Sequence, residues 1–250
     1  MSECKRKENA FQRMETVDVF AGGVAHDLNN ILAGLLGYPQ LLLMDMPEDN
    51  PMRKTILAIE KSGNKIAAFA KDLSYLAGKG DDVFQTTNLN QIISEYLKSP
   101  EYENLRSYCD GLQVETSLQR SLPDISCSPS RLSNVVISLV SNAASAILEE
   151  GKIFLSTENR YVDIPINGYD CIKEGDYIVL TVSDTGTEMS LEDMRRIFEP
   201  FYARKTMKRN VTGLGLAMVW KTVKDHGGYI DVQSGEKRGT TFTLYFPANK

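Results

Sequence analysis

A helical repeat of apolar residues over the first third of the chain most constrains its fold. The repeat has spacings of three and four residues and comprises Val24, Leu28, Ile31, Leu35, Tyr38 and Leu42. Such spacing places the apolar side chains along one narrow seam of a helix. The sequence therefore predicts one long amphipathic helix from about residue 8 to residue 45.

A second helical pattern follows from about Met52 to Leu76, after the segment "MPEDNP" at 46–51 breaks the first. Two long helices with a short connection form an antiparallel hairpin, which alone leaves much of its apolar surface exposed. We therefore expect a homodimer in which two hairpins form a four-helix bundle.

From about residue 83 the pattern changes to short strands alternating with helices. Strands are predicted at "LQVETSL", "KIFLSTEN" and "YIVLTVSD", and a closing hairpin at "GYIDVQSGEKRGTTFTLYF". Helices are predicted at "SPSRLSNVVISLVSNAASAILEEG" and "GLGLAMVWKTVKDHGG", and an exposed connection at "YVDIPINGYDCIKEGD". The expected class is α+β, with a helical hairpin domain at 1–82 and an α/β layer domain at 83–250.

Composition excludes several classes of protein. The formal net charge of −5 and the absence of a long basic run argue against nucleic acid as a partner. The four cysteines are far apart in sequence, so neither a metal knuckle nor a disulfide framework is indicated. Because no run of about 18 apolar residues occurs, we expect no direct membrane insertion and a cytoplasmic location.

The pair His26 and Asp27 stands out, because the chain has only two histidines. At about 100° per residue, His26 points away from the apolar seam. It is either an ordinary solvent-facing histidine or a nucleophile whose tautomer is held by a carboxylate. The other histidine, His226, precedes "GG" at a predicted helix end, where a partly charged imidazole suits a C-cap.

Short motifs in the second region suit a nucleotide. "SDTGTEM" places Asp184 at a strand end with Gly186 two residues later, and "VTGLGLAMV" opens a helix with glycines. A glycine-rich entry to a helix lets backbone N–H groups meet phosphate. Asn142 lies on the predicted helix "VVISLVSNAASAI", and a polar stretch suited to a mobile lid precedes "TGLGLA".

In this order, the motifs resemble the catalytic core of sensor histidine kinases. The matching boxes are "AHDLNNIL", the asparagine box around Asn142, "DTGTEM", "FEPFY" and "TGLGLA", and they cover about residues 10 to 248. The resemblance implies a histidine-phosphotransfer dimerisation hairpin followed by the GHKL (Bergerat-type) ATP-binding sandwich shared with gyrase and Hsp90. It also implies a response regulator receiver domain as partner and an upstream sensor domain that is absent from this chain.

Roles follow from the resemblance position by position. His26 is the implied phosphoacceptor, Asp27 holds its ring, and Asn30 orients a water for dephosphorylating the regulator. Asn142 is the implied Mg²⁺ ligand. ATP contacts are implied for Asp184 and Gly186 at adenine, for Gly213, Leu214 and Gly215 at the phosphates, and for Lys205 as a nearby positive charge.

Four positions depart from the family pattern. Glu188 and Val211 stand where the family usually has glycines, Ser138 replaces the first asparagine of the asparagine box, and Ser145 stands where related kinases often carry an acidic residue. The related ATPases carry a water-activating glutamate at the position of Ser138, so a histidine acceptor fits this chain better than water. Two functions stay open: an active kinase, or a degenerate core with weak ATP binding that serves as a response-regulator phosphatase or phosphotransfer scaffold.

Overall fold

The computed structural model describes residues 23–24, 27–28, 31–77, 83–109, 111–202, 213–235 and 239–248. The chain divides into two compact units, Met1–Asp81 and Asp82–Lys250. None of the described helices has the length and apolar character needed to cross a membrane.

The first unit contains the predicted pair of antiparallel helices. Helix α1 is continuous over residues 31–45, residues 23–24 and 27–28 are also helical, and α2 spans Arg53–Leu76. Arg53 Nη1 donates hydrogen bonds to the carbonyls of Leu43 (3.3 Å) and Met46 (2.9 Å), which satisfies groups at the end of α1. The helices approach closely at Gly63, where a Cβ would lie 2.7 Å from Leu36 Cδ2. The predicted residues 8–22 of the first helix lie outside the described residues.

The second unit is built on a five-stranded mixed sheet. Its strands are β2 (Leu112–Leu118), β4 (Gly151–Val162), β7 (Gly175–Asp184), β8 (Tyr229–Gly235) and β9 (Gly239–Pro247). The spatial order is β2-β4-β7-β9-β8, with β2 and β4 parallel and the other neighbours antiparallel. All three predicted strands and the closing hairpin are confirmed.

The helices and short strands complete this unit. Its helices are α3 (Leu89–Tyr96), α4 (Pro100–Ser107), α5 (Pro129–Ala146), α6 (Leu191–Arg196) and α7 (Gly215–Asp225). Two small ladders pair β1 (Gln85–Thr87) with β3 (Ile125–Cys127) and β5 (Ile166–Asn167) with β6 (Cys171–Ile172). The two predicted helices are thus confirmed as α5 and α7, although α5 ends before the predicted glycine.

Alternation along the strands decides which face carries the core. Ile178, Leu180 and Val182 of β7 are buried in one cluster with side chains of α5 and α7, such as Leu139 and Val219. The intervening residues point to the opposite face of the sheet. A two-layer α/β arrangement results, and it fixes the ends of α5, α7 and β7 relative to one another.

The connection between β4 and β7 is largely exposed, as its polar sequence predicts, but part of it is attached to the sheet. Ile172 is fully buried, in a second cluster with Val162, Tyr177, Val179 and Tyr245. The backbone N–H of Asp170 donates to the carbonyl of Ile230 on β8 (3.1 Å). These contacts attach the connection to the sheet. The sequence did not predict them, because the partners lie on other strands and leave no signal in the local pattern.

Candidate nucleotide site

Helix α5 carries two polar side chains that lie one turn apart. Its apolar side chains, including Val136, Leu139, Val140 and Ala143, are buried in the core. Asn142 and Ser138, one helical turn apart, remain partly exposed on another side of the helix. Ser128 and Pro129 begin α5, and proline at the first helical position is a favourable start.

The carboxylate of Asp184 is held at the end of β7. The side chain is buried, and its Oδ1 accepts hydrogen bonds from the backbone N–H of Gly186 (2.8 Å) and of Thr240 (3.4 Å). A Cβ on Gly239, whose φ is +65°, would lie 1.9 Å from the carbonyl oxygen of Asp184. Only glycine therefore fits beside this strand end.

Gly186 fixes the Asp184 loop against the end of α5. A Cβ at Gly186 would lie 2.6 Å from the carbonyl carbon of Ala146, and the N–H of Thr187 donates to the same carbonyl group (2.9 Å). Asn142 lies one turn before Ala146 on this helix. The structure therefore brings Asp184, Gly186 and Asn142 together around the C-terminal end of α5.

The second glycine motif begins α7 beside the same helix. Gly213 has φ +72°, and its carbonyl accepts a hydrogen bond from the N–H of Phe201 (3.0 Å), which itself has φ +66°. Leu214 is fully buried, and Gly215 starts the helix at a point where a Cβ would lie 3.5 Å from Ser138 Oγ. The first turn of α7 carries no acidic side chain that would repel an anion.

A group that the sequence analysis missed anchors Tyr202, the last residue of the "FEPFY" motif. Tyr202 Oη donates to Asp193 Oδ1 (2.5 Å), and this hydrogen bond raises the pKa of Tyr202. Ser190 and Asp193 form a capping box at the start of α6. The guanidinium of Arg196 lies 4.4 Å from the centre of the Tyr202 ring. The spacing "SLED" at 190–193 is the sequence signal that predicts this cap.

Four of the residues singled out in the sequence, His26, Asn30, Lys205 and Val211, lie outside the described residues. Asp27 is described as helical and exposed in the first unit. Glu188 is exposed, and the next residue, Met189, is buried and donates its N–H to Ser234 Oγ (2.8 Å).

The predicted C-cap position of His226 is confirmed, but its predicted partial charge is wrong. His226 Nε2 accepts the N–H of Ser128 (3.0 Å), and Nδ1 faces the carbonyl of Thr222 (2.7 Å). An imidazole that accepts at one nitrogen and donates at the other is neutral. His226 therefore joins the end of α7 to the start of α5 and has a structural role.

Comparisons with known proteins show which proteins this chain resembles in sequence. Residues 127–250 match the family described as "Histidine kinase-, DNA gyrase B-, and HSP90-like ATPase". Sensor kinase CckA of Brucella abortus (strain 2308) is 30% identical over 252 residues, which cover 98% of this chain and 26% of that protein. Sensor histidine kinase ZraS of Escherichia coli O157:H7 is 28% identical over 247 residues, which cover 99% of this chain and 49% of that protein.

The fold also matches that of a solved structure. A crystal structure of full-length ShkA in complex with AMPPNP has a TM-score of 0.69 to this chain at 21% identity, covering 92% of this chain and 46% of that one. The chain spans about a quarter to a half of the length of these two curated relatives, at 26% and 49%.

Proposed function

Residues 127–250 belong to the histidine kinase-, DNA gyrase B- and HSP90-like ATPases, and the chain carries the sequence of a sensor histidine kinase core. From this premise we propose that the protein phosphorylates His26 from ATP and passes the phosphoryl group to an aspartate of a response regulator. The observation that carries the proposal is the packing of Gly186, whose N–H bonds to Asp184, against the end of α5, one turn from Asn142. This arrangement supplies an acceptor for adenine next to an amide suited to the phosphates.

Each part of ATP has a matching group in the proposal. Asp184 accepts a hydrogen bond from the adenine amino group, and Gly186 lets the base approach the backbone. The backbone at Gly213, Leu214 and Gly215 meets the phosphates at the start of α7, where the helix dipole favours negative charge. Lys205 adds a positive charge.

Asn142 is the proposed ligand of Mg²⁺. A single amide oxygen fits this ion, which commonly takes one or two protein ligands together with phosphate oxygens and waters. Among the described residues no group of three or more histidines, cysteines or carboxylates suits a metal ion, so a different, all-protein metal cage has no support there. When bound, Mg²⁺ offsets negative charge on the phosphates.

In the transfer step, one ring nitrogen of His26 attacks the γ-phosphorus. A nitrogen–phosphorus bond forms, the bond between the γ-phosphorus and the bridging oxygen breaks, and ADP leaves with that oxygen. Asp27 accepts a hydrogen bond from the other ring nitrogen and stabilises the charge that develops on the imidazole. In the opposing phosphatase reaction, Asn30 orients a water that hydrolyses the regulator's phosphoaspartate.

The apolar residues left exposed on the hairpin support a homodimer. On α1 they include Ile31, Leu35, Tyr38 and Leu42, and at the N-cap of α2 and along it they include Met52, Ile59 and Ile66. Met52, Ile59 and Ile66 are spaced by seven residues, as in a helix seam that packs against another helix. We assign dimerisation and histidine phosphotransfer to 1–82 and ATP binding to 83–250.

The homodimer predicts the effect of a charge in this seam. We expect Ile59→Glu to convert the dimer into a monomer, because burying an unpaired carboxylate between helices costs several kcal/mol. Sedimentation equilibrium measures the change. Leu57→Glu is the matched control, because Leu57 is equally exposed at 45% but lies two residues from Ile59, about 160° away around the helix. A dimeric Ile59→Glu protein would contradict the proposed bundle.

The function is tested by incubating the protein with γ-labelled ATP and Mg²⁺, beside His26→Ala and Asn142→Ala. We expect acid-labile, alkali-stable label on the wild type and no label on either variant. Subsequent transfer to a receiver domain tests the second step. A folded dimer that binds ATP but takes no label would overturn autophosphorylation and leave the regulator-directed phosphatase or scaffold role.

A further inference from the structure

The connection between β4 and β7, residues 163–174, contacts two elements of the candidate nucleotide site at once. The ring of Tyr169 lies edge-on to the ring of Phe198, with their centres 5.0 Å apart. The next residue, Asp170, forms an ion pair through Oδ2 with Lys224 in the last turn of α7. Two adjacent residues therefore contact the "FEPFY" motif and the helix that follows the second glycine motif.

Both residues are also hydrogen-bonded to β8. Asp170 Oδ2 also accepts the N–H of Ile230 (2.9 Å), and the N–H of Tyr169 donates to Oδ1 of the buried Asp231 (2.9 Å). A Cβ on Gly168 would lie 2.1 Å from that same Oδ1, so the backbone passes as close to Asp231 as a glycine allows. The side chain of Asp170 is only 13% exposed, which strengthens its bonds to Lys224 and Ile230.

The elements that Tyr169 and Asp170 contact meet again at the candidate site. Phe198 is buried and lies three residues before Phe201, whose N–H bonds to Gly213. Helix α7 begins two residues after Gly213 and extends to Asp225, so Lys224 is at the far end of one rigid helix. A shift of Phe198 relative to α7 would change the spacing between Phe201 and Gly213.

We propose that Tyr169 and Asp170 are positioning residues for ATP: together they set the spacing of the "FEPFY" motif and α7, and so the geometry at which Gly213 and Gly215 receive the phosphates. The inference rests on the proposed function. It assigns a role in nucleotide affinity to a connection whose sequence contains none of the kinase motifs. Neither residue touches the nucleotide, so neither is catalytic.

The test uses Asp170→Asn and Tyr169→Leu in the full chain, with Asp163→Asn as control. Asp163 is an exposed carboxylate of the same connection, and its Oδ1 accepts the N–H of the adjacent Ile164 (2.8 Å). We expect both test variants to raise the KM for Mg-ATP about threefold to tenfold with kcat changed less than about twofold, since ground-state positioning is lost. Lys224→Arg keeps the charge and should retain near wild-type KM.

Trp220 provides a readout that a merely structural role would not move. It is the single tryptophan of the chain and lies on α7, with its ring 5.8 Å from Lys224 Nζ. Mg-ATP titrated into the wild type should change its emission, with a weaker apparent affinity in both test variants. Unchanged nucleotide affinity alongside a lowered Tm would overturn the positioning role alone. Failure of the wild type to bind Mg-ATP would overturn the proposed function, and the inference with it.

Discussion

Replacing Gly213 by alanine is expected to lower kcat/KM for autophosphorylation about a hundredfold. The position has φ +72°, in the left-handed region that costs a residue with a Cβ about 1–2 kcal/mol. In addition, the new Cβ would lie 2.6 Å from the carbonyl carbon of Phe201 and 2.8 Å from its Cα, which are backbone atoms that cannot rotate away. Gly213 and Phe201 must separate, which moves the entry to α7.

The measurement is the rate of labelling from γ-labelled ATP at several ATP concentrations. Gly235→Ala is the matched control, because a Cβ at Gly235 meets nothing within 4 Å and the expected rate is that of the wild type. The thermal midpoint distinguishes a local displacement from global unfolding. Wild-type labelling by Gly213→Ala would show that the Phe201–Gly213 contact is irrelevant to phosphate binding.

The regular elements of the fold could be predicted because their signals are local. The apolar residues Ile31, Leu35 and Tyr38 recur at about one helical turn, and "LQVETSL" coincides with β2 at Leu112–Leu118. The order of the boxes located Asn142, Asp184 and Gly213 without knowledge of their contacts. Local periodicity is therefore sufficient to predict these helices and strands, and motif order is the basis for the proposed site.

The features that sequence reasoning missed depend on distant partners. Asp170 looks like a loop residue, yet Lys224 is 54 residues away in sequence and Ile230 is 60 away. The neutral state of His226 is set by the N–H of Ser128, 98 residues earlier. The close packing of Gly186 on Ala146 is likewise invisible to a motif that describes only its own strand and turn.

Asp184→Asn is the second substitution with a large expected effect, a loss of ATP affinity of about a hundredfold or more. An asparagine still offers one oxygen to the N–H of Gly186, so the loop is retained. In the proposed site, its NH₂ group would replace the oxygen that accepts from adenine, so that a donor would face the adenine amino group, which is itself a donor. Two buried donors that face each other are both left without an acceptor. The loss of binding free energy is therefore larger than that of one ordinary hydrogen bond.

Equilibrium binding of Mg-ATP measures this loss, with Asp176→Asn as the control. Asp176 lies on the same strand at its exposed end, so this variant removes one negative charge without touching the site. We expect Asp176→Asn to bind as the wild type and Asp184→Asn to lose its preference for ATP over GTP together with its affinity. If Asp184→Asn weakened both nucleotides equally, the carboxylate would act on the loop alone, and adenine recognition would have to reside elsewhere in the second unit.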